Sequence, residues 1–304
     1  MNVCFIINPK SGTGDWKGIE QKITKYLSPQ FSSTIVHTKR PGHATELARE
    51  AAKTNSVIVA VGGDGLVNET ARGVIAAVKA QPEGSEQETI LGIIPTGSGN
   101  ALARHLGIPM SQKKAIECLN RKHTELIDTA TLNDEPFFAV AGTGFDAEVA
   151  ARFALSGIRG FWTYCRLAFV RFFTYKPAEY IITTDSKGIN RKAFLISVAN
   201  GSQYGNNAFI APYASLQSGM LDVCILKPFP LLKGPGLVWR LFTKTLDRSP
   251  YMETVKGQNI EIRRTDGNPM PVHYDGETMP PANNLIFEVK PKTLKVILPE
   301  GRKI

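Results

Sequence analysis

The chain has 304 residues, 42% hydrophobic and 21% charged, an ordinary composition for two folded domains with a core each. Its 36 basic and 27 acidic side chains leave a formal charge of +9, which favours anionic partners such as nucleotides or phospholipid headgroups. The four cysteines (Cys4, Cys118, Cys165, Cys224) form no C-x-x-C pair, which argues against a disulfide framework or a zinc site. No apolar stretch reaches the ~18 residues of a membrane span.

Val3 to Ile7 reads as a first strand rather than a signal peptide, and Asn8 to Gly14 as a glycine-bearing loop. Trp16 to Leu27 carries Ile19, Ile23 and Tyr26/Leu27 at helical spacing. Thr34 to Thr38 is strand-like, and Ala44 to Lys53 helical. Val57 to Val61 is an apolar strand that stops at Gly62-Gly63-Asp64-Gly65, and a helix is expected from Val67 to Ala80. Residues 81–89 read as a solvated loop. A strand from Ile90 to Ile94 enters Pro95-Thr96-Gly97-Ser98-Gly99-Asn100, followed by a helix that stops near Gly107. This alternation predicts an α/β domain over 1–128 with a mostly parallel sheet, whose glycine loops meet at the carboxyl ends of the strands.

From about Asp128 the pattern changes. Strand-like segments at Phe137–Ala141, Tyr180–Thr184, Lys192–Ala199, Leu221–Leu226, Asn259–Arg264 and Leu285–Val289 are separated by turn signals and by helical stretches near 147–175 and 231–246. A β-rich sandwich or barrel over 129–304 is expected, with a cleft between the two domains. The tail 293–304 either pairs within the second domain or returns to the first.

A buried strand that ends in clustered glycines beside one carboxylate and then opens into a helix suits phosphate. Glycines let the backbone approach the ligand, and exposed N–H groups at the turn and helix start attract anions. There is no G-x-x-x-x-G-K-[ST] and no G-x-G-x-x-G opening a first βαβ unit, so neither a Walker-type site nor a dinucleotide fingerprint is present.

Gly62-Gly63-Asp64-Gly65-Leu66-Val67-Asn68-Glu69 resembles the G-G-D-G-T-x-N-E signature of the diacylglycerol-kinase-like lipid kinases, a family related to NAD kinases and 6-phosphofructokinases. The likeness covers nearly the whole chain. Asn8-Pro9-Lys10-Ser11-Gly12 matches the family's N-P-x-S-G, Pro95 to Asn100 its P-x-G-[ST]-x-N, Gly142 to Asp146 its G-x-G-[FL]-D, and Asp275-Gly276-Glu277 its late D-G-E. The series in one order is far more specific than any single member.

The resemblance implies an ATP-dependent lipid kinase that transfers the γ-phosphate to a lipid hydroxyl, with Mg2+ accompanying ATP. It implies that Gly62, Gly63, Asp64, Gly65, Leu66, Asn68, Glu69, Thr96, Gly97, Ser98 and Asn100 surround the phosphates, with Asn8, Ser11 and Thr38 at the same cleft and Arg159 reaching the phosphates. Asp64 would hold Mg2+ directly or through water, since magnesium uses one or two carboxylates plus phosphates. Asp275 is the first choice for general base, with Glu277 as an alternative or as the group that orients it, and Asp64 as a rival. A two-residue hairpin turn is the plain alternative for Asp275-Gly276.

Leu66 stands where the family usually has threonine, a departure similar to the sphingosine-kinase and ceramide-kinase branch. The bacterial diacylglycerol-kinase branch also holds a structural metal. By likeness Ser215, Ser218 and Met220 would hold it here, but Ser218 replaces an aspartate and is a poor hard-cation ligand. The segment Arg152 to Lys176 interleaves bases with aromatics, which suits either an anionic membrane surface or a packed core with solvated arginines. The helix flanked by Lys227, Lys233, Arg240 and Lys244 is open to the same two readings. A cytoplasmic protein in peripheral membrane contact, with a lipid alcohol as substrate and no nucleic acid partner, is expected. Two alternatives are an NAD kinase-like small-alcohol kinase and a catalytically silent lipid- or nucleotide-binding regulator.

Overall fold

The computed structural model describes residues 1–9, 18–81, 88–155, 161–185, 187–302 and 304, without the side chains of 161–164. They form two compact units, Met1–Asp128 with Pro291–Ile304, and Thr129–Lys290.

The first unit alternates strand and helix. Strand β1 (Asn2–Ile7) is followed by α1 (Ile19–Tyr26), β2 (Ser32–His37), α2 (His43–Ala51), β3 (Val57–Gly62), α3 (Asp64–Lys79) and β4 (Ile90–Pro95). All four strands are parallel, in the order β2-β1-β3-β4. β3 and β4 are buried at every position, as parallel strands covered on both faces should be. The register aligns Ile7 with His37 and Val61, and Gly62 with Pro95, so the residues after each strand emerge along one sheet edge.

Helix α3 begins at Asp64, three residues before the expected Val67, so the aspartate belongs to the helix's first turn. Helices α4 (Ala101–His105) and α5 (Gln112–Arg121) and strand β5 (Thr124–Leu132) complete the segment before the second unit. Helix α5, in a segment for which the sequence pattern gives no expected element, buries Ala115, Ile116 and Leu119 at helical spacing.

The second unit is a β-sandwich. Its elements are β6 (Glu135–Phe137), β7 (Val140–Gly144), α6 (Phe145–Leu155), α7 (Phe161–Phe172), β8 (Ala178–Thr184), β9 (Lys187–Ala193), β10 (Leu195–Ala199) and β11 (Leu221–Leu226). They continue with α8 (Gly234–Phe242), β12 (Met252–Gly257), β13 (Asn259–Arg264), β14 (Met270–Tyr274), β15 (Glu277–Ala282) and β16 (Asn284–Ile297). One antiparallel sheet runs β12-β11-β10-β7-β14-β15, and the start of β16 pairs with β13, which continues to β8 and β9. Ile196, Val198, Val223 and Ile225 from one sheet share a single core with Tyr180, Ile182, Ile260, Ile262 and Phe287 from the other. The expected class, a parallel α/β domain followed by a β-rich sandwich, is the one observed.

Lys192 to Ala199 reads as one strand, yet Phe194 breaks it. β9 pairs with β8 in one layer, and β10 pairs with β7 and β11 in the other. The apolar run carries the chain between sheets without a polar turn, so its composition gives no sign of the break. Beyond the start of β16, Val296 lies parallel to Leu91 of β4. Among the described residues no helix is long and apolar enough to cross a membrane.

Candidate active site

The two described glycine turns of the first unit touch. A Cβ placed on Gly97 would lie 2.5 Å from Gly63 Cα, and one on Gly63 3.2 Å from Gly97 Cα, so Gly97 has no room for a side chain and Gly63 has little. The Thr96 amide donates to the Gly62 carbonyl at 3.0 Å, joining the β3 and β4 ends. Asp64 then clasps the second turn. Its Oδ2 accepts the Asn100 amide at 2.8 Å and its Oδ1 the Ala101 amide at 2.6 Å. A carboxylate at the N-terminus of α4 satisfies amides that have no partner within the helix. A Cβ on Gly99 would sit 2.5 Å from Asp64 Oδ2, so glycine there keeps the carboxylate's approach open.

Asn100 takes the left-handed conformation, φ 54°, and its side-chain amide donates to the Gly97 carbonyl at 2.6 Å. Among the described residues its buried Oδ1 has no hydrogen-bond partner. Arg104 Nε donates to the Gly99 carbonyl at 2.9 Å, which closes the loop from its far side. A pocket of about 410 Å³ opens beside this loop, with Thr96, Gly97 and Asn100 on one wall and Lys22, Arg104 and Lys113 contributing charge.

Ser98 is exposed in the loop, while Leu66 and Asn68 are buried residues of the first turns of α3. Leu66 packs onto Gly62. Glu69 points elsewhere: its two oxygens accept the Gly42 and Ala44 amides at 2.9 and 3.1 Å, at the start of α2. Its carboxylate thus braces a neighbouring helix. Thr38 sits beside the β1 end, where its amide donates to the Ile7 carbonyl at 2.9 Å, next to Asn8. Ser11 and Arg159 lie outside the described residues.

In the second unit, Asp275 and Gly276 form the two-residue link between β14 and β15, both at positive φ (44° and 85°). The Asp275 carboxylate accepts three successive amides, from Phe138 at 2.8 Å, Ala139 at 2.8 Å and Val140 at 3.3 Å. Glu277 opens β15 as an exposed side chain that accepts the Tyr274 hydroxyl at 3.4 Å. Two residues before Asp275, His273 Nε2 lies 2.9 Å from Asp146 Oδ2, and the same oxygen accepts the Ser197 and Tyr204 hydroxyls at 3.1 and 2.8 Å. This buried group anchors the base of the hairpin to the start of α6.

Ser215, Ser218 and Met220, the positions expected to hold a structural metal, share one turn. The Ser218 hydroxyl lies 3.1 Å from the Ser215 carbonyl and 3.2 Å from that of Met220, so it bridges the two oxygens a cation would use. Asp222 is engaged by Lys256 at 3.0 Å. Among the described residues no three His, Cys, Asp or Glu side chains group together as metal ligands.

Two family profiles match the chain in tandem: the Diacylglycerol kinase catalytic domain over residues 2–132, and the YegS C-terminal NAD kinase beta sandwich-like domain over 139–298. The chain belongs to the diacylglycerol-kinase-like lipid kinase family. A Bacillus subtilis protein named "Diacylglycerol kinase" is 31% identical over 228 residues, covering 73% of this chain and 73% of that one. A Pseudomonas putida protein named "Probable lipid kinase YegS-like" is 30% identical over 279 residues, covering 87% of this chain and 84% of that protein. The solved structure of a diacylglycerol kinase from Bacillus anthracis str. Sterne has a TM-score of 0.72 at 23% identity, over 98% of this chain and 97% of that one, so it shares the fold.

Within this lipid kinase family member, sequence reasoning missed the amide-capping roles of Asp64 and Glu69 and the His273–Asp146 pair. Asp64 and Glu69 each sit near a helix N-terminus that is distant in sequence, and no local motif reports such a partner. His273 carried one usable signal, its place near the end of a strand that runs into the D-G-E turn.

Proposed function

We propose that the protein transfers the γ-phosphate of ATP to the hydroxyl of a lipid alcohol, of the diacylglycerol or sphingoid-base type. The observation that carries this reading is the contact of the Gly63 and Gly97 backbones, with Asp64 fastening the second turn to the first. Phosphoryl transfer asks a protein mainly for positioning and charge neutralisation, and two side-chain-free turns at one sheet edge offer backbone at close range. Thr96, Ser98 and Asn68 are the polar side chains assigned to the phosphates, and Asn8 and Thr38 to the rest of the nucleotide. Lys22, Arg104 and Lys113 give the adjoining pocket a positive wall.

Asp64, the carboxylate beside both glycine turns, is the group assigned to a direct or water-mediated hold on Mg2+. When bound, the ion would neutralise charge on the β- and γ-phosphates. On the acceptor side, the three amides on Asp275 favour a role for it in fixing the turn, and they favour Glu277 as the carboxylate that takes the lipid hydroxyl's proton. A lipid substrate also calls for peripheral contact with membrane.

A second reading, a nucleotide-binding regulator that no longer transfers phosphate, draws support from the occupied Asp275 oxygens and from Leu66 in place of the usual threonine. The deciding experiment incubates the protein with radiolabelled ATP and, separately, a total lipid extract and NAD. Label on a lipid is expected. Label on NAD would move the assignment to a small-alcohol kinase, and ATP binding without any labelled product would move it to the regulator.

A further inference from the structure

The second unit presents an apolar surface that its own core does not use. In α8, Leu237 turns inward, while Val238 and Trp239 are 56% and 72% exposed and Phe242 is 41% exposed. With Pro235 these residues follow the spacing i, i+3, i+4, i+7, an amphipathic stripe that faces solvent instead of the core. The 3-10 turn just before the helix adds Leu231, 54% exposed, and Leu232, 93% exposed. The Phe172 ring stacks on Phe229 and abuts Gly234, so the end of α7, with Phe169 and Phe173 exposed, adjoins the same turn.

Charge selects among occupants. Between Lys227 and Leu246 the sequence contains Lys227, Lys233, Arg240 and Lys244 and no acidic residue. Lys233 is exposed at the helix start, and Lys244 lies over the Phe209 ring at its end. Exposed leucines and a tryptophan bracketed by bases match the interface of an anionic bilayer, where apolar side chains enter the acyl boundary and lysines meet lipid phosphates. A protein partner would need acidic groups around an apolar centre. A bilayer supplies both without any particular shape.

We propose that the turn at Leu231–Lys233 and the outer face of α8 form a docking surface for an anionic membrane. The purpose of this surface rests on the lipid-kinase reading, but its test measures binding alone. The full chain is sedimented with vesicles of phosphatidylcholine, and with vesicles of phosphatidylcholine and phosphatidylglycerol in equal amounts, in the absence of ATP. Binding to the anionic vesicles, weakened by salt, is expected. The double variant Leu232→Asp, Trp239→Asp changes only exposed side chains and should bind at least about tenfold more weakly, with an unchanged melting temperature. Brominated phosphatidylcholine incorporated in the anionic vesicles should quench the wild-type tryptophan emission, and the Trp239→Phe variant should lose that quenching. The proposal is overturned if wild type and double variant bind alike, if neither binds, or if the double variant instead converts a wild-type dimer to a monomer. Vesicle binding by a protein that labels no lipid would refute the kinase reading and leave the docking surface standing.

Discussion

Replacing Asp64 by asparagine separates a structural duty from a chemical one. The carboxylate accepts the Asn100 and Ala101 amides at 2.8 and 2.6 Å, and these residues are only 7% and 4% exposed. Asparagine keeps one acceptor oxygen and turns an NH2 group toward the other amide. One charge-assisted bond becomes a neutral one, at a loss of roughly 1 kcal/mol, and a buried N–H loses its partner, at roughly 1–3 kcal/mol. The sum, about 2–4 kcal/mol, corresponds to a fall in melting temperature of roughly 5–15 °C for a unit of this size. Thermal unfolding is followed in EDTA without nucleotide, so that metal and ligand contribute nothing. If Asp64 served only as a metal ligand, removing its charge in metal-free protein would leave stability unchanged or raise it. An Asp64→Asn protein that melts with the wild type would therefore refute the claim that this carboxylate fastens the two glycine turns together.

Four further outcomes are expected. Gly97→Ala sets a methyl 2.5 Å from Gly63 Cα and should cost about 1–3 kcal/mol in urea unfolding while weakening ATP binding in calorimetry; an equally stable variant would mean the turns do not touch. Glu277→Gln should lower kcat by roughly 10²- to 10⁴-fold at an unchanged melting temperature. Asp275→Asn, whose NH2 would face the Phe138–Val140 amides, should melt lower than wild type. The reverse pattern would return the proton to Asp275. Burial, and after it the charge of Arg302, push His105 down to about 4. An unfolded histidine titrates near 6.5, so between these values the unfolded chain binds the proton and the native state does not. This contribution, up to about 3 kcal/mol, is fully present above pH 6.5 and is lost as pH falls toward 4. His105→Gln should flatten unfolding free energy across that window, and an unaltered slope would rule His105 out as its source.

Much of the candidate site was legible because clustered glycines and the carboxylates beside them leave local marks. A glycine pair after an apolar strand is visible in one window of residues, and so is a D-G-E turn. The strand ends were equally plain, since parallel strands buried on both faces read as continuous apolar runs. What stayed hidden was every bond between distant segments. Glu69 belongs to the glycine signature, yet its oxygens hold the α2 start, 25 and 27 residues away in sequence. The break at Phe194 gave no warning, because a chain crossing between two layers of one apolar core needs no polar turn.

By itself the sequence determined the kinds of backbone this chain can form: where it has no side chains, where it must be extended, and which carboxylates stand beside a turn. Only the tertiary structure decided what those carboxylates hold. A buried amide takes whichever acceptor the packing brings within about 3 Å. Packing is set by the whole core rather than by the neighbours of Asp64 or Asp275 in the chain.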